Sequence, residues 1–181
     1  MPSIISHTAI PLAIGLGLGS KLISKRLIAL GVIGSVLPDL DVLAFHYAVP
    51  YASIFGHRGL SHSLLFAFAI AFLGAGFYRY LRADFFCALA FLFISISSHG
   101  VLDSFTTGGL GIALLWPWSE QRYIAPYRVI AVSPIGISRF ISERGLQVLR
   151  SEFIWIWIPS FSVAFILFSC RYYLINRHRN N

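Results

Sequence analysis

The chain has 181 residues, of which 57% are hydrophobic and 12% are charged, and its formal net charge is +7. Soluble domains carry about 25% charged residues, so this composition excludes an ordinary soluble protein and predicts a single integral membrane domain over residues 1–181. Many basic residues lie just beyond apolar runs, where they suit lipid headgroups, so we expect membrane lipids and no nucleic acid as partners.

Five apolar segments follow one another along the chain, at about residues 5–18, from 27 through 37 to LPDLDVLAFHYAV, 63–80, 85–102 and 153–175. In the second, Pro38 disfavours continuation of the helix from Leu37. Only the last three approach the roughly 20 residues that a bilayer core demands, so we expect the first two to tilt, re-enter or form a covered hairpin. The predicted fold class is all-α, a polytopic integral membrane helical bundle of about four to five transmembrane or re-entrant helices. Five crossings is the preferred count.

The stretch before the last segment is predicted to lie at the membrane interface. Residues 108–152 contain Trp116, Trp118 and several arginines, and such residues are typical of the headgroup region. Within it, ISRFISERGLQVLRSEF mixes apolar and charged residues. We therefore expect an interfacial loop that includes an amphipathic helix lying on the headgroups.

Ionisable side chains separate by membrane side when the chain is traced through five crossings. One side receives four of the six histidines and three of the four aspartates. They are His7, Asp39, Asp41, His57, His62, His99 and Asp103. Because the other side receives mainly lysine and arginine, this segregation predicts a common role for the seven residues.

That role is best described as metal binding at the helix ends on one face. Imidazole nitrogens and carboxylate oxygens suit zinc and its neighbours, and a catalytic site needs about three protein ligands with one position left for water. Seven candidates could hold one ion with supporting groups, or two ions. His99 and Asp103 are spaced i and i+4, which places them on one helix face. Taken singly, each motif also has a structural interpretation, as a capping turn, an interfacial histidine or a helix-end hydrogen bond.

Three other ionisable residues are left outside this site. His178 lies in the basic tail and is expected to be solvated, and His46 is expected to pack or hydrogen-bond rather than bind an ion. Asp84 begins the fourth segment, where the helix dipole favours a carboxylate.

Five motifs run in order through residues 6–123, namely SHT, LPDLD, GHRGLSHS, SHGVLDSFTTGG and LLWPWSEQRY. In this order they resemble the membrane-bound metal-dependent hydrolase family described as LexA-regulated (YdjM-like). The resemblance implies a helical protein of the bacterial cytoplasmic (inner) membrane with hydrolase activity. It implies the metal ligands His7, Asp39, His57, His62, His99 and Asp103. It also implies that Asp41 is a ligand or a general base and that Arg58 binds an anion.

The hypothesis that follows is hydrolysis of an ester or phosphoester of a lipid or lipid-linked substrate. One or two divalent ions, zinc first and manganese or iron next, would activate the water. Arg58 would hold a phosphate through its fork of donors, and an aspartate would orient the water or take its proton. Ser61, Ser63, Thr106 and Thr107 are expected to hydrogen-bond the ligands rather than act as nucleophiles.

Two other classes of protein would use the same residues. A metal ion or proton transporter would use the cluster as a transit site, although it would favour ionisable groups near the bilayer midplane on discontinuous helices. A structural membrane protein would use the cluster only to tie helix ends together. Lysine and arginine lie near the helix ends opposite the cluster. Because basic residues are enriched on the cytoplasmic side, this favours a site that faces away from the cytoplasm.

Overall fold

The computed structural model describes residues 1–134 and 136–179. The helical elements are α1 (Ile4–His7), α2 (Ala9–Leu18), α3 (Lys25–Val36), a 3₁₀ helix (Leu37–Tyr47), a 3₁₀ turn (Leu60–His62), α4 (Leu64–Ala75), α5 (Tyr78–Leu81), α6 (Phe85–Ser104), α7 (Ile137–Phe140), α8 (Glu143–Glu152), a π-helical segment (Phe153–Trp157) and α9 (Ile158–Arg179). Within these described ranges the chain forms isolated β-bridges but no strand. The predicted all-α class is therefore confirmed.

Three helical runs among the described residues are long and apolar enough to span a bilayer, Lys25–Tyr47, Phe85–Ser104 and Glu143–Arg177. Two shorter apolar runs are Ile4–Leu18 and Leu64–Ala75. The helical membrane bundle is thus confirmed, while the count of five crossings stays a prediction because it requires both shorter runs to cross.

Two of the predicted segment lengths are wrong. The second segment is longer than expected because the chain does not stop at Pro38, where the α-helix gives way to the 3₁₀ helix Leu37–Tyr47. A proline fits the first turn of that helix, because the backbone amides there make no hydrogen bond within the helix and the missing N–H of proline costs nothing. The third segment is shorter than expected because α4 ends at Ala75, before Gly76, a residue of low helix propensity.

Helix α6 lies in the middle of the bundle, where it packs against α3 and α4, while α2 packs against α9 and α3. Every fourth residue on one face of α4 is a buried alanine, namely Ala67, Ala71 and Ala75. Small side chains at this spacing let two membrane helices approach closely. The same face meets Phe91 and Leu92 of α6 in the main apolar core.

Polar caps fix where the membrane helices begin. The side chains of Ser24, Ser63 and Asp84 accept hydrogen bonds from first-turn amides of α3, α4 and α6. The predicted placement of Asp84 at a helix N-terminus is confirmed. His46 is exposed and lies outside the cluster of ionisable residues, and the side chain of His178 lies outside the described residues.

Helix α8 forms inside the stretch predicted to be interfacial. Val148 is buried on one side, whereas Leu146 and Leu149 are exposed. Exposed leucines beside charged residues suit a helix that is partly immersed in the headgroup layer. The domain boundaries 108–152 remain a prediction.

Candidate metal centre

The seven predicted residues converge at one end of the bundle. They are brought there by α1 (His7), the 3₁₀ helix Leu37–Tyr47 (Asp39, Asp41), the loop before α4 (His57, His62) and the end of α6 (His99, Asp103). Six of them are buried, and Asp41 is partly buried. Side chains from four separate parts of the chain therefore share one polar interior.

His99 is oriented by the backbone of α3. A β-carbon at Gly34 would lie 2.9 Å from the side chain of Ile96, so α3 and α6 approach closely just before the site. This approach places the Nδ1 atom of His99 2.8 Å from the carbonyl oxygen of Ser35. Because a carbonyl can only accept a hydrogen bond, Nδ1 carries the proton and Nε2 presents a lone pair to the cluster.

His62 is oriented in the same way by Asp41. The Nδ1 atom of His62 lies 3.2 Å from Oδ2 of Asp41 and 3.0 Å from the hydroxyl oxygen of Ser61. Ser61 donates its own proton to Asp41 over 2.6 Å, so its oxygen is free to accept. Nδ1 of His62 is therefore the protonated nitrogen, and Nε2 again presents a lone pair. Histidine metal ligands are commonly held by such a carboxylate or carbonyl partner.

These two lone pairs face each other, since the Nε2 atoms of His62 and His99 are 3.1 Å apart. Two acceptors at this distance cannot hydrogen-bond, so a cation has to lie between or beside them, either a proton or a metal ion. Burial by itself would lower the pKa of His62, but hydrogen bonds from the imidazole to Asp103 and Asp41 outweigh burial and raise that pKa to about 9. The environment of the cluster thus favours positive charge.

The carboxylates supply the remaining ligand atoms. Asp39 Oδ1 lies 3.3 Å from Nε2 of His99, and Asp103 Oδ2 lies 3.4 Å from Nε2 of His62. The Nε2 atom of His7 lies 3.8 Å from Asp39 and 3.7 Å from Asp103. Ligands about 2.0–2.1 Å from a tetrahedral zinc ion lie roughly 3.3–3.4 Å from one another, so this spacing fits a shared ion.

The hydrogen bonding of these groups also fits an ion. Both ring nitrogens of His7, both carboxylate oxygens of Asp39 and Oδ1 of Asp103 are buried and have no hydrogen-bond partner in the described part of the chain. The other oxygen of Asp103, Oδ2, faces Nε of Arg58 at 2.9 Å. Buried polar atoms are normally paired, and leaving one unpaired costs about 1–3 kcal/mol. Two sets of three ligand atoms can each hold one ion, His7 with His99 and Asp103, and Asp39 with His62 and His99.

His57 lies beside this centre and belongs to neither set of three. Its Nδ1 atom is 2.6 Å from Oδ1 of Asp41, and its ring meets the ring of His62 edge-on. Asp41 accepts in addition from the backbone amide of Arg58 over 2.9 Å. Both oxygens of Asp41 are thus engaged, which suits a residue that positions His57 and His62. The predictions that His57 is a ligand and that Asp41 is a ligand or a general base remain untested.

Arg58 does not have the geometry predicted for a phosphate-binding group. Its side chain is 1% exposed; Nη1 donates to the Gly108 carbonyl over 2.8 Å and Nη2 to the hydroxyl of Thr106 over 2.9 Å. Nε lies 2.9 Å from Oδ2 of Asp103 as an ion pair. Every nitrogen of the guanidinium thus faces a protein oxygen. These contacts assign Arg58 to holding Asp103 and the loop after α6, and the prediction that it binds an anion remains untested.

Two residues near the centre are missing from the sequence prediction. Glu152 is buried and accepts hydrogen bonds from the amide and hydroxyl of Ser3 and from the hydroxyl of Ser6, over 2.5–2.8 Å. These bonds fix α1 and therefore His7. Arg122 donates to several backbone carbonyls between Tyr51 and Arg58, which fastens the loop that carries His57.

Replacing Asp41 by asparagine should weaken metal binding about 10–100-fold, the usual cost of removing a residue that orients a ligand. The amide can no longer accept from both His57 and His62, so His62 Nε2 loses its fixed direction. Competition with a calibrated chelator measures the affinity. Asp84→Asn is the matched control, because Asp84 caps α6 at the far end, and its affinity should equal that of the wild type.

Metal affinity should rise with pH up to about pH 9. Below the raised pKa the metal-free protein carries a proton on His62, and an incoming ion has to displace it. Displacement of one proton gives about a tenfold change in apparent affinity per pH unit. Titrations with a chelator buffer between pH 6.5 and 8.5 measure this slope. An affinity independent of pH would show that His62 is not a ligand.

The chain matches the family described as YdjM inner membrane protein over residues 1–177. It is 49% identical over 163 residues to the inner membrane protein YbcI of Escherichia coli (strain K12), an alignment that covers 88% of this chain and 92% of that protein. No solved structure matches the chain. Together with the apolar helices, these matches place the chain as an integral protein of the bacterial inner membrane. The chain belongs to the YdjM inner membrane protein family.

Proposed function

We propose that this protein is a metal-dependent hydrolase of the inner membrane that cleaves a lipid or lipid-linked phosphoester. One observation carries the proposal. Ligand atoms of His7, Asp39, His62, His99 and Asp103 are buried and face one another, and those of His7 and Asp39 have no hydrogen-bond partner among the described residues. Asp39 also lines an apolar cavity, so a substrate can reach the centre from the lipid side.

A divalent ion held there, zinc first and manganese or iron next, would supply a Lewis acid and lower the pKa of a water molecule. His62 and His99 contribute nitrogens of fixed direction because Asp41 and the Ser35 carbonyl hold their other nitrogens. Arg58 keeps Asp103 in place.

With an ion held by His7, His99 and Asp103, Asp39 is not a ligand and is the site residue best placed to handle the proton of the reaction. Its two oxygens have no hydrogen-bond partner in the described chain, and its side chain borders the cavity. In the proposed step the water oxygen bonds to phosphorus, the water proton passes to Asp39, and the P–O bond to the leaving alcohol breaks. Asp39 then returns the proton to the departing oxygen, so the products are a phosphate and an alcohol.

A transporter is the second candidate, favoured by the change from α to 3₁₀ helix beside Asp39. It would need a polar route from the centre to the basic ends of the helices. The described residues that fill this region form an apolar core with Leu27, Phe91 and Leu92. Ser35 and Ser95 are buried polar side chains beside it, and their hydroxyls donate to the carbonyls of Val32 and Phe91 within their own helices. This packing favours the hydrolase.

The proposal is tested with purified protein in phosphatidylcholine vesicles that contain dioleoyl phosphatidic acid or phosphatidylglycerol. We expect release of water-soluble phosphate that requires added zinc, manganese or iron and stops on chelation. The variant with Asp39→Asn and His99→Ala should release none. Bound metal with no lipid cleavage, together with metal or proton flux into the vesicles, would contradict the hydrolase and support the transporter.

A further inference from the structure

A cavity of ≈ 470 Å³ lies next to the metal centre. This volume falls within the range of about 300–1,000 Å³ that is usual for small-molecule sites. Its walls come from residues 1–5, the 3₁₀ helix Leu37–Tyr47, and Ser133, Pro134 and Phe140. Asp39 provides the one charged side chain among the described walls.

The mouth of the cavity is bordered by side chains that face lipid. Ile4 and Ile5 on one wall and Leu40 and Leu43 on the other each expose more than half of their surface, in helical runs of an integral membrane protein. Exposed apolar residues in such runs contact acyl chains. The cavity therefore opens to the hydrocarbon of the bilayer.

The depth of the centre in the membrane agrees with this opening. Asp39 lies 14 residues after Lys25, and His99 lies 14 residues after Phe85. At about 1.5 Å per residue both are roughly 21 Å from the basic helix ends, within a hydrocarbon core of about 30 Å. A lipid headgroup can reach this level from the nearer surface while its chains stay in hydrocarbon.

We propose that this cavity binds one acyl chain of the lipid phosphoester, and so places its phosphate against Asp39 and the metal centre. The inference rests on the proposed function and names its substrate class, a phosphoester with a long acyl chain. A water-soluble phosphoester such as glycerol 3-phosphate has no apolar part to fill the cavity. The protein should therefore bind the lipid more tightly than glycerol 3-phosphate, because burial of the acyl chain in the cavity supplies the binding energy.

The test uses phosphatidic acid with a diazirine in one acyl chain, in phosphatidylcholine vesicles with the full-length protein. After illumination, mass spectrometry should place most cross-links in residues 1–5, Leu40, Val42, Leu43, Ser133, Pro134 and Phe140. Excess dioleoyl phosphatidic acid should compete, and glycerol 3-phosphate should not. Labelling spread evenly over the lipid-facing helices would overturn the proposal.

Variants at the cavity wall sharpen the test. Leu43→Trp and Val42→Phe each add volume inside the cavity and should lower labelling about tenfold, the low end of what a changed apolar pocket costs. Leu73→Trp is the matched control, because Leu73 is 64% exposed, as Leu43 is at 62%, and it lies on α4 away from the cavity. All three variants should keep the metal content of the wild type. Equal labelling of Leu43→Trp, Val42→Phe and the wild type would overturn the proposal.

The experiments distinguish failure of the acyl-chain proposal from failure of the proposed hydrolase function. The variant with Asp39→Asn and His99→Ala should lose metal and hydrolysis while the diazirine lipid still labels the cavity. Hydrolysis with labelling elsewhere would overturn the cavity alone. Labelling of the cavity in a wild type that never binds metal would overturn the hydrolase alone.

Discussion

Replacing Asp39 by asparagine and His99 by alanine together should remove the bound metal. We expect one or two equivalents of zinc, manganese or iron in the detergent-purified wild type and less than about a tenth of an equivalent in the variant, since each set of three ligand atoms loses at least one member. Elemental analysis by inductively coupled plasma mass spectrometry measures the content. Metal retained in the variant would contradict the site.

Stability separates this metal centre from a purely structural cluster. In the metal-free protein Asp39 is a buried carboxylate without a hydrogen-bond partner, so Asp39→Asn alone should leave metal-free stability unchanged or raise it. The same variant should lose most of the stabilisation that added zinc gives the wild type, because ligand binding stabilises the folded state. If the cluster only ties helices together, Asp39→Asn should instead lower stability with zinc absent.

The matched control carries the same two substitutions outside the site, His46→Ala with Asp84→Asn. His46 is exposed on the 3₁₀ helix Leu37–Tyr47, and Asp84 caps α6 at its far end, where asparagine also caps well. Metal content and zinc-induced stabilisation should both match the wild type.

Replacing Arg58 by methionine should lower the stability of the metal-free protein by about 3–5 kcal/mol. The substitution leaves Asp103 without its neighbouring cation and strips the Gly108 carbonyl of its donor, while methionine keeps much of the buried volume. For a chain of this size the change corresponds to a fall in midpoint of roughly 10 °C. Thermal unfolding in detergent after chelation measures it.

The outcome also decides between two roles for Arg58. Arg79→Met is the control, because Arg79 is exposed at the basic side, and it should shift the midpoint little. If Arg58 instead bound a substrate phosphate, Arg58→Met would leave the midpoint near that of the wild type and weaken only binding of the lipid. Added metal should recover part of the lost stability, since an ion also compensates Asp103.

The convergence of the seven ionisable residues could be predicted because each lies near a helix end marked in the sequence. Pro38 stops the α-helix beside Asp39, and serines precede His7 and His99 in short polar interruptions of apolar runs. Counting the membrane crossings along the chain then assigns each of these polar interruptions to one side of the membrane. Distances, tautomers and the sharing of His99 between two sets of ligands depend on tertiary packing and could not be predicted this way.

Arg58 and Glu152 have protein partners that the sequence does not reveal. The sequence reveals the charge of Arg58 but not that Thr106 and Gly108 occupy its donors. Glu152 lies in a charged amphipathic stretch, where a glutamate is ordinarily solvated, and its serine partners are 146 and 149 residues away. No local pattern relates positions so far apart in the chain.

The hydrogen bonds from Ser3 and Ser6 to Glu152 have a consequence for biogenesis. The first helix to leave the ribosome is fastened by a residue near the start of the last one, so His7 has no fixed position until the C-terminal helix has been inserted. Assembly of the complete centre is therefore a late event, after translation of most of the chain. A truncated nascent protein that lacks α8 and α9 would leave His7 unanchored, so of the two sets of ligand atoms only Asp39, His62 and His99 would be complete.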